Sequence, residues 1–124
     1  MFGKFEVVHL CGTTKDNYDR FRYIEEELTK LGYIVFKPVF YDINEYNKYK
    51  DIVDEQCYEK LKMCDILCIV TDHIDESTFL RIKQAAKLGK KIYYWSDFYE
   101  NHFREINFSF INKLKNEKEN KEND

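Results

Sequence analysis

Residues 71–92 read TDHIDESTFLRIKQAAKLGKKI, and this stretch decides the fold. It follows directly on the apolar run Ile66–Val70 and opens as an acidic loop. A helix is expected to start at Ser77 or Thr78 and to end at Gly89, with a strand resuming at Lys91. A hydroxyl at a helix start accepts the free backbone N–H groups there, and glycine after the last turn tolerates a left-handed cap. Strand, acidic loop, helix, glycine and strand make one βαβ unit. In open parallel sheets ligands bind beyond the carboxyl ends of the strands, which is where Asp72, Asp75, Glu76 and Ser77 fall. A second reading needs no ligand, because acids near a helix N-terminus are favourable in themselves.

Working outward, Phe5–Cys11 (FEVVHLC) reads as a buried first strand. The turn that follows, Gly12-Thr13-Thr14, joins it to a helix over Tyr18–Leu31, where Phe21, Ile24, Leu28 and Leu31 recur at steps of three and four. Glycine permits close approach, and threonine hydroxyls near a helix start suit an anion, although one glycine makes no phosphate cradle. Gly32 ends the helix, and Tyr33–Lys37 forms the second strand. Pro38–Lys48 reads as an aromatic loop carrying Phe40, Tyr41 and Tyr46, able to stack on a ring or to pack down as a lid. Lys50–Met63 is the second helix, with Val53, Cys57, Leu61 and Cys64 on one stripe, and Asp65–Val70 is the third strand. In the third helix Ile82, Ala85 and Ala86 face the sheet, and Lys91–Trp95 is the fourth strand. Phe98–Phe103 and Ile106–Leu114 are read as helices, and residues 115–124 (KNEKENKEND) as a disordered charged tail. Residues 1–114 therefore form one α/β domain, a Rossmann-like or flavodoxin-like parallel sheet of four to five strands in the order 2-1-3-4-5 with helices on both faces. A phospho-receiver, which shares such an architecture, needs an acidic pair after the first strand, and Leu10-Cys11 supplies none.

Composition excludes several classes. A net charge of −3 argues against a nucleic-acid surface built on phosphate neutralisation. No apolar run nears the ~20 residues of a membrane span, and no signal peptide is evident, so a cytoplasmic protein is expected. Cys11, Cys57, Cys64 and Cys68 show no paired spacing and read as buried reduced thiols. His9, His73 and His102 do not cluster with them, so no metal site is expected.

Five segments, VVHLCGTTK, LTKLGYIVFKP, VDEQCYEKL, CDILCIV and IDESTFLRIKQAAKLGKKIYY, together resemble the nucleoside 2-deoxyribosyltransferase-like family over about residues 5–95. The resemblance implies a pocket at the strand ends and chemistry at a nucleoside N-glycosidic bond, with no metal or cofactor. It also implies a nucleoside or nucleotide partner and a homo-oligomer, dimer or larger, in which a neighbouring subunit can complete the pocket. By that resemblance Cys11, Gly12, Thr13 and Thr14 fit the first turn, with Thr13 in place of a serine. Lys60 and Leu61 fit the second-helix motif, with Cys57 at its histidine position. Asp75 falls at the upstream carboxylate, and Glu76-Ser77-Thr78 reproduces the family's EST.

The family's nucleophilic glutamate falls on Arg81. A guanidinium is permanently cationic and cannot attack a sugar carbon. It can hold a phosphate or carboxylate in a bidentate contact, pair with Asp75 or Glu76, or lie along the helix surface. Three functions follow. The first is a nucleotide-derivative-binding protein using Cys11, Gly12, Thr13, Thr14, Cys57, Asp72, Ser77, Thr78 and Arg81. The second is an active N-glycosidase or deoxyribosyltransferase with Asp75 or Glu76 as the catalytic group and water as the attacker. The third is an interaction module without a small ligand, acting through the aromatic loop or the C-terminal segment.

Overall fold

The computed structural model describes residues 3–39, 43–97, 101–107 and 109–113, with only the backbone of 43–46. Phe40 and Tyr41 of the aromatic loop, residues 98–100 and the charged tail 115–124 lie outside the described residues. In chain order the elements are β1 (Val7–Cys11), α1 (Tyr18–Lys30), β2 (Ile34–Phe36), α2 (Ile43–Met63), β3 (Ile66–Ile69), α3 (Glu76–Lys87), β4 (Lys91–Trp95) and β5 (Phe103–Glu105). They build one sheet in the order β2-β1-β3-β4-β5, with β1 to β4 parallel and β5 antiparallel to β4.

Every residue of β1 and β3 is buried, as two covered faces require of central parallel strands. Side chains alternate between those faces. Val7 and Cys11 join Leu61, Cys64, Ile82 and Ala85 under α2 and α3, whereas Val8 and Leu10 join Phe21, Ile24 and Leu28 of α1. In register, Val8 lies opposite Val35 on one side and Ile66 on the other, so β1 is the sheet's spine. All four cysteines are buried and free, and burial raises the pKa of the Cys64 thiol to about 11.

Three expectations are corrected. First, α2 begins at Ile43 rather than Lys50, so half of the expected aromatic loop is helix. Residues 47–52 are all exposed, so no apolar stripe marks that part as helical, and the periodicity starts only at Val53. Second, Phe103 belongs to a strand instead of a helix. Its ring is buried against Tyr33 and Tyr93, with centroids 5.5 and 4.4 Å away, and three residues are too short to show a period. Third, α3 starts at Glu76 with Asp75 as its N-cap, not Ser77 or Thr78. A carboxylate is an acceptor with full charge, so it outcompetes the hydroxyls for the helix's free N–H groups and complements the helix dipole. Of the expected Ile106–Leu114 helix, residues 109–113 are helical, with Ile111 fully buried and Phe110 packed on Tyr94.

Two contacts fix the carboxyl ends of the strands. Arg20 reaches from α1 across the sheet, donating to the carbonyl of Val70, to that of Trp95 at 3.5 Å and to Asp97 at 2.6 Å. The bond from Arg20 holds the Asp97 carboxyl below its ordinary range, against the effect of burial. Gly12 sits at φ 151°, and a Cβ there would lie 2.7 Å from Thr71 Oγ1 and 2.9 Å from its methyl. The first turn and the end of β3 are therefore pressed together by a missing side chain. Gly12→Ala is expected to lower stability in urea titration by about 1–3 kcal/mol. In a Thr71→Ala background the same change costs less, the remainder being the backbone strain of a non-glycine residue at positive φ.

Candidate functional site

The rim at the strand ends is a hydrogen-bonded knot of the first turn and the β3–α3 loop. The Thr13 N–H donates to Thr71 Oγ1 at 3.2 Å, and the Thr71 hydroxyl donates to the His73 carbonyl at 2.8 Å. The Thr13 hydroxyl lies 3.3 Å from Asp75 Oδ2 and 3.4 Å from the His73 carbonyl, so its single proton is shared between two acceptors. Asp75 Oδ1 meanwhile accepts the Thr78 N–H at 2.7 Å, which caps α3. Asn17 closes the turn from below, its amide donating to the Thr13 carbonyl at 2.9 Å and its backbone N–H to that of Thr14 at 3.1 Å. Both oxygens of Asp75 are thus engaged, one tying the loop to the turn and the other capping α3. Asp72 is exposed at the end of β3, and the Tyr94 hydroxyl donates to its Oδ1. Glu76 and Ser77 are exposed in the first turn of α3, and Thr78 is buried.

The second cluster sits under the seam of α2 and α3. Arg81 turns neither to solvent nor to Asp75 or Glu76. Its Nη2 lies 2.5 Å from Asp54 Oδ1 on α2, its Nη1 is 3.3 Å from Gln84 Oε1, and its side chain is 10% exposed. Lys50 holds the other Asp54 oxygen at 2.8 Å. Burial acts to raise the Asp54 pKa, but the bonds and charges of Lys50 and Arg81 outweigh it, and the carboxyl is held below its ordinary value. Cys57, one turn along α2, is buried on the same stripe. Cys11, on the floor between the clusters, is pushed strongly upward by burial and also feels the charges of Asp75 and Arg81. That thiol stays protonated at neutral pH and is no nucleophile.

The structure therefore joins Cys11, Gly12, Thr13, Thr14, Asp75 and Thr78 in one rim and places Arg81 behind it. Glu76 and Ser77 flank that rim without a bond to it, and Asp72 is tied to β4 instead. The sequence reading missed Asp54, Thr71 and Tyr94. Asp54 had a signal, three residues before Cys57 in VDEQCYEKL, on the face that meets the third helix. Thr71 and Tyr94 had none, since their partners lie on other strands. A groove along the helices is lined by Asp54, Lys60 and Met63 of α2 and Gln84 of α3, and no residue of the strand-end loops borders it. Among the described residues no group of three or more His, Cys, Asp or Glu side chains is arranged to hold a metal ion, and no helix is long and apolar enough to cross a membrane.

A family model described as a domain of unknown function (DUF4406) matches residues 8–94, from β1 to β4 and through both clusters. The chain belongs to that family. No curated protein matches it. Among solved structures, this DUF4406 chain is similar to a 2-desoxiribosyltransferase from Leishmania mexicana, with a TM-score of 0.54, 12% identity, and 83% of this chain and 79% of that one covered. It is also similar to a CMP N-glycosidase from Clostridium botulinum, with a TM-score of 0.54, 18% identity, and coverages of 90% and 84%. These likenesses establish a shared fold, the one the sequence resemblance implied.

The depressed Asp54 carboxyl has a signature in pH. A group whose folded pKa lies below its unfolded value adds stability above the unfolded value, and that stability fades as pH falls through the folded one. Asp54→Asn is expected to lose about 1–3 kcal/mol near neutral pH by leaving Arg81 without its anion. In urea titrations the gap to the native protein should narrow as pH drops below about 4, the ordinary aspartate value. A gap that stays constant from pH 7 to 3 would contradict the pairing.

Proposed function

We propose that this protein binds a nucleoside or nucleotide derivative at the carboxyl ends of β1 and β3 and does not transfer or hydrolyse it through residue 81. The observation that carries this reading is the buried Arg81–Asp54 pair, at the place where the sequence resemblance puts a nucleophilic glutamate. A cation held by an anion has no lone pair to offer a sugar carbon. The pocket side of the fold keeps its turn all the same, with Gly12 pressed on Thr71 and the Thr13 N–H bonded to the Thr71 hydroxyl. The shared fold with a 2-desoxiribosyltransferase and a CMP N-glycosidase supports nucleosides and nucleotides as the ligand class. Asp75 does not replace the missing carboxylate in this reading, because it caps α3 and accepts from Thr13. Glu76 is exposed and unsupported, so it lacks the fixed geometry that general acid catalysis needs.

Two measurements test the halves of the proposal separately. A panel of nucleosides, deoxynucleosides and their 5′-monophosphates should include at least one that raises the melting temperature. A ligand at 100 times its dissociation constant adds about 2.7 kcal/mol, so a flat response across the panel rejects binding. Incubation with the same compounds, CMP included, followed by chromatography should release no free base. Release that disappears in Glu76→Gln would instead assign catalysis to that carboxylate.

A further inference from the structure

On β1, His9 alternates with Val8 and Leu10 and shares the side of Val7 and Cys11, so its imidazole lies on the face that α2 and α3 cover. The residue is 2% exposed, and Phe36, its register partner on β2, meets it edge-on at 6.5 Å. Nδ1 is 2.8 Å from the Leu10 carbonyl oxygen. A carbonyl can only accept, so Nδ1 carries the proton and the neutral ring presents Nε2 as a bare lone pair. Among the described residues that atom is the one buried side-chain nitrogen or oxygen without a hydrogen-bond partner. Burial above all lowers the ring's pKa to about 4, the Leu10 carbonyl opposes this, and the charges of Lys60 and Arg81 lower it further. At neutral pH the group is therefore an acceptor.

An unpaired buried acceptor is destabilising, a cost that any apolar side chain at this core position would avoid. We propose that His9 Nε2 forms the floor of the nucleotide site and accepts a hydrogen bond from an uncharged N–H or O–H group of the bound ligand. This rests on the binding function proposed above and names the ligand chemistry it requires. The donor is uncharged because Lys60 and Arg81 both repel a cation near the ring. Arg81 is already neutralised by Asp54, whereas the ammonium of Lys60, half-buried on α2, has no ion-pair or hydrogen-bond partner among the described residues. The site therefore matches a molecule that brings one neutral donor to His9. A nucleoside or nucleoside monophosphate carries such a donor, as a sugar hydroxyl or an amino group of the base.

The experiment uses the full chain labelled with ¹⁵N-histidine. Titration with AMP or CMP should move the Nε2 resonance of His9 away from its bare-acceptor position while that of His102, outside the rim, stays in place. His9→Phe should weaken binding of the same nucleotides about tenfold, which is about 1.4 kcal/mol. Ribose 5-phosphate separates the donors: if it moves the resonance too, the donor is a sugar hydroxyl, and if it does not, the base amine. A nucleotide that binds without moving the resonance, or equally well to His9→Phe, overturns this inference and leaves the proposed function standing. Wild-type protein that binds no nucleotide removes both. Should His9→Phe fail to fold, the wild-type resonance decides alone.

Discussion

A guanidinium buried between two helices must be matched by an anion, and in this fold the anion is Asp54. Arg81 is nine-tenths covered, so leaving it unpaired would strand a full charge away from water. The pair therefore fixes how α3 is rotated against α2, and Gln84 and Lys50 complete its hydrogen bonds. Rotation of α3 in turn sets where its N-terminus points. From that end hang Asp75, Thr78 and the loop that meets the first turn. The strand-end rim is thus held from two sides, by the ion pair behind it and by the Gly12–Thr71 contact in front.

The same pair gives the site its chemical character. Three carboxylates near the rim are engaged, Asp75 as a cap, Asp72 by Tyr94 and Asp54 by two cations, while Glu76 stays exposed. Thiols near it are kept protonated by burial. Under the proposed function, these acceptors and the buried cation serve to hold a molecule. His9 is the exception to this general satisfaction of polar atoms. Unsatisfied buried groups are rare in native proteins and concentrate where function outweighs stability.

Much of the architecture was legible because central parallel strands read as unbroken apolar runs and α1 and α3 as amphipathic repeats. FEVVHLC and DILCIV needed no tertiary information to be placed in the middle of a sheet. The N-terminal half of α2 was not legible, since a solvated helix face carries no period. Nor was β5, where one inward phenylalanine in three residues gives no alternation to detect. At the site, the Gly12 turn and the acidic loop were visible as residue types at strand ends. Their bonding was not, because Thr13 meets residues about sixty positions away.

The amino-acid order by itself determined the fold class and the arginine where the resemblance puts a glutamate, since these rest on local periodicity and residue identity. Only the tertiary structure decided what that arginine does. Its partner is twenty-seven residues distant on another helix, and the choice between pocket, solvent and ion pair depends on how two helices pack. The same holds for Asp75, which the sequence offers as a catalyst and the packing employs as a cap. A side chain's chemistry is written in the chain, but its partner, and hence its role, is set by the distances that folding brings about.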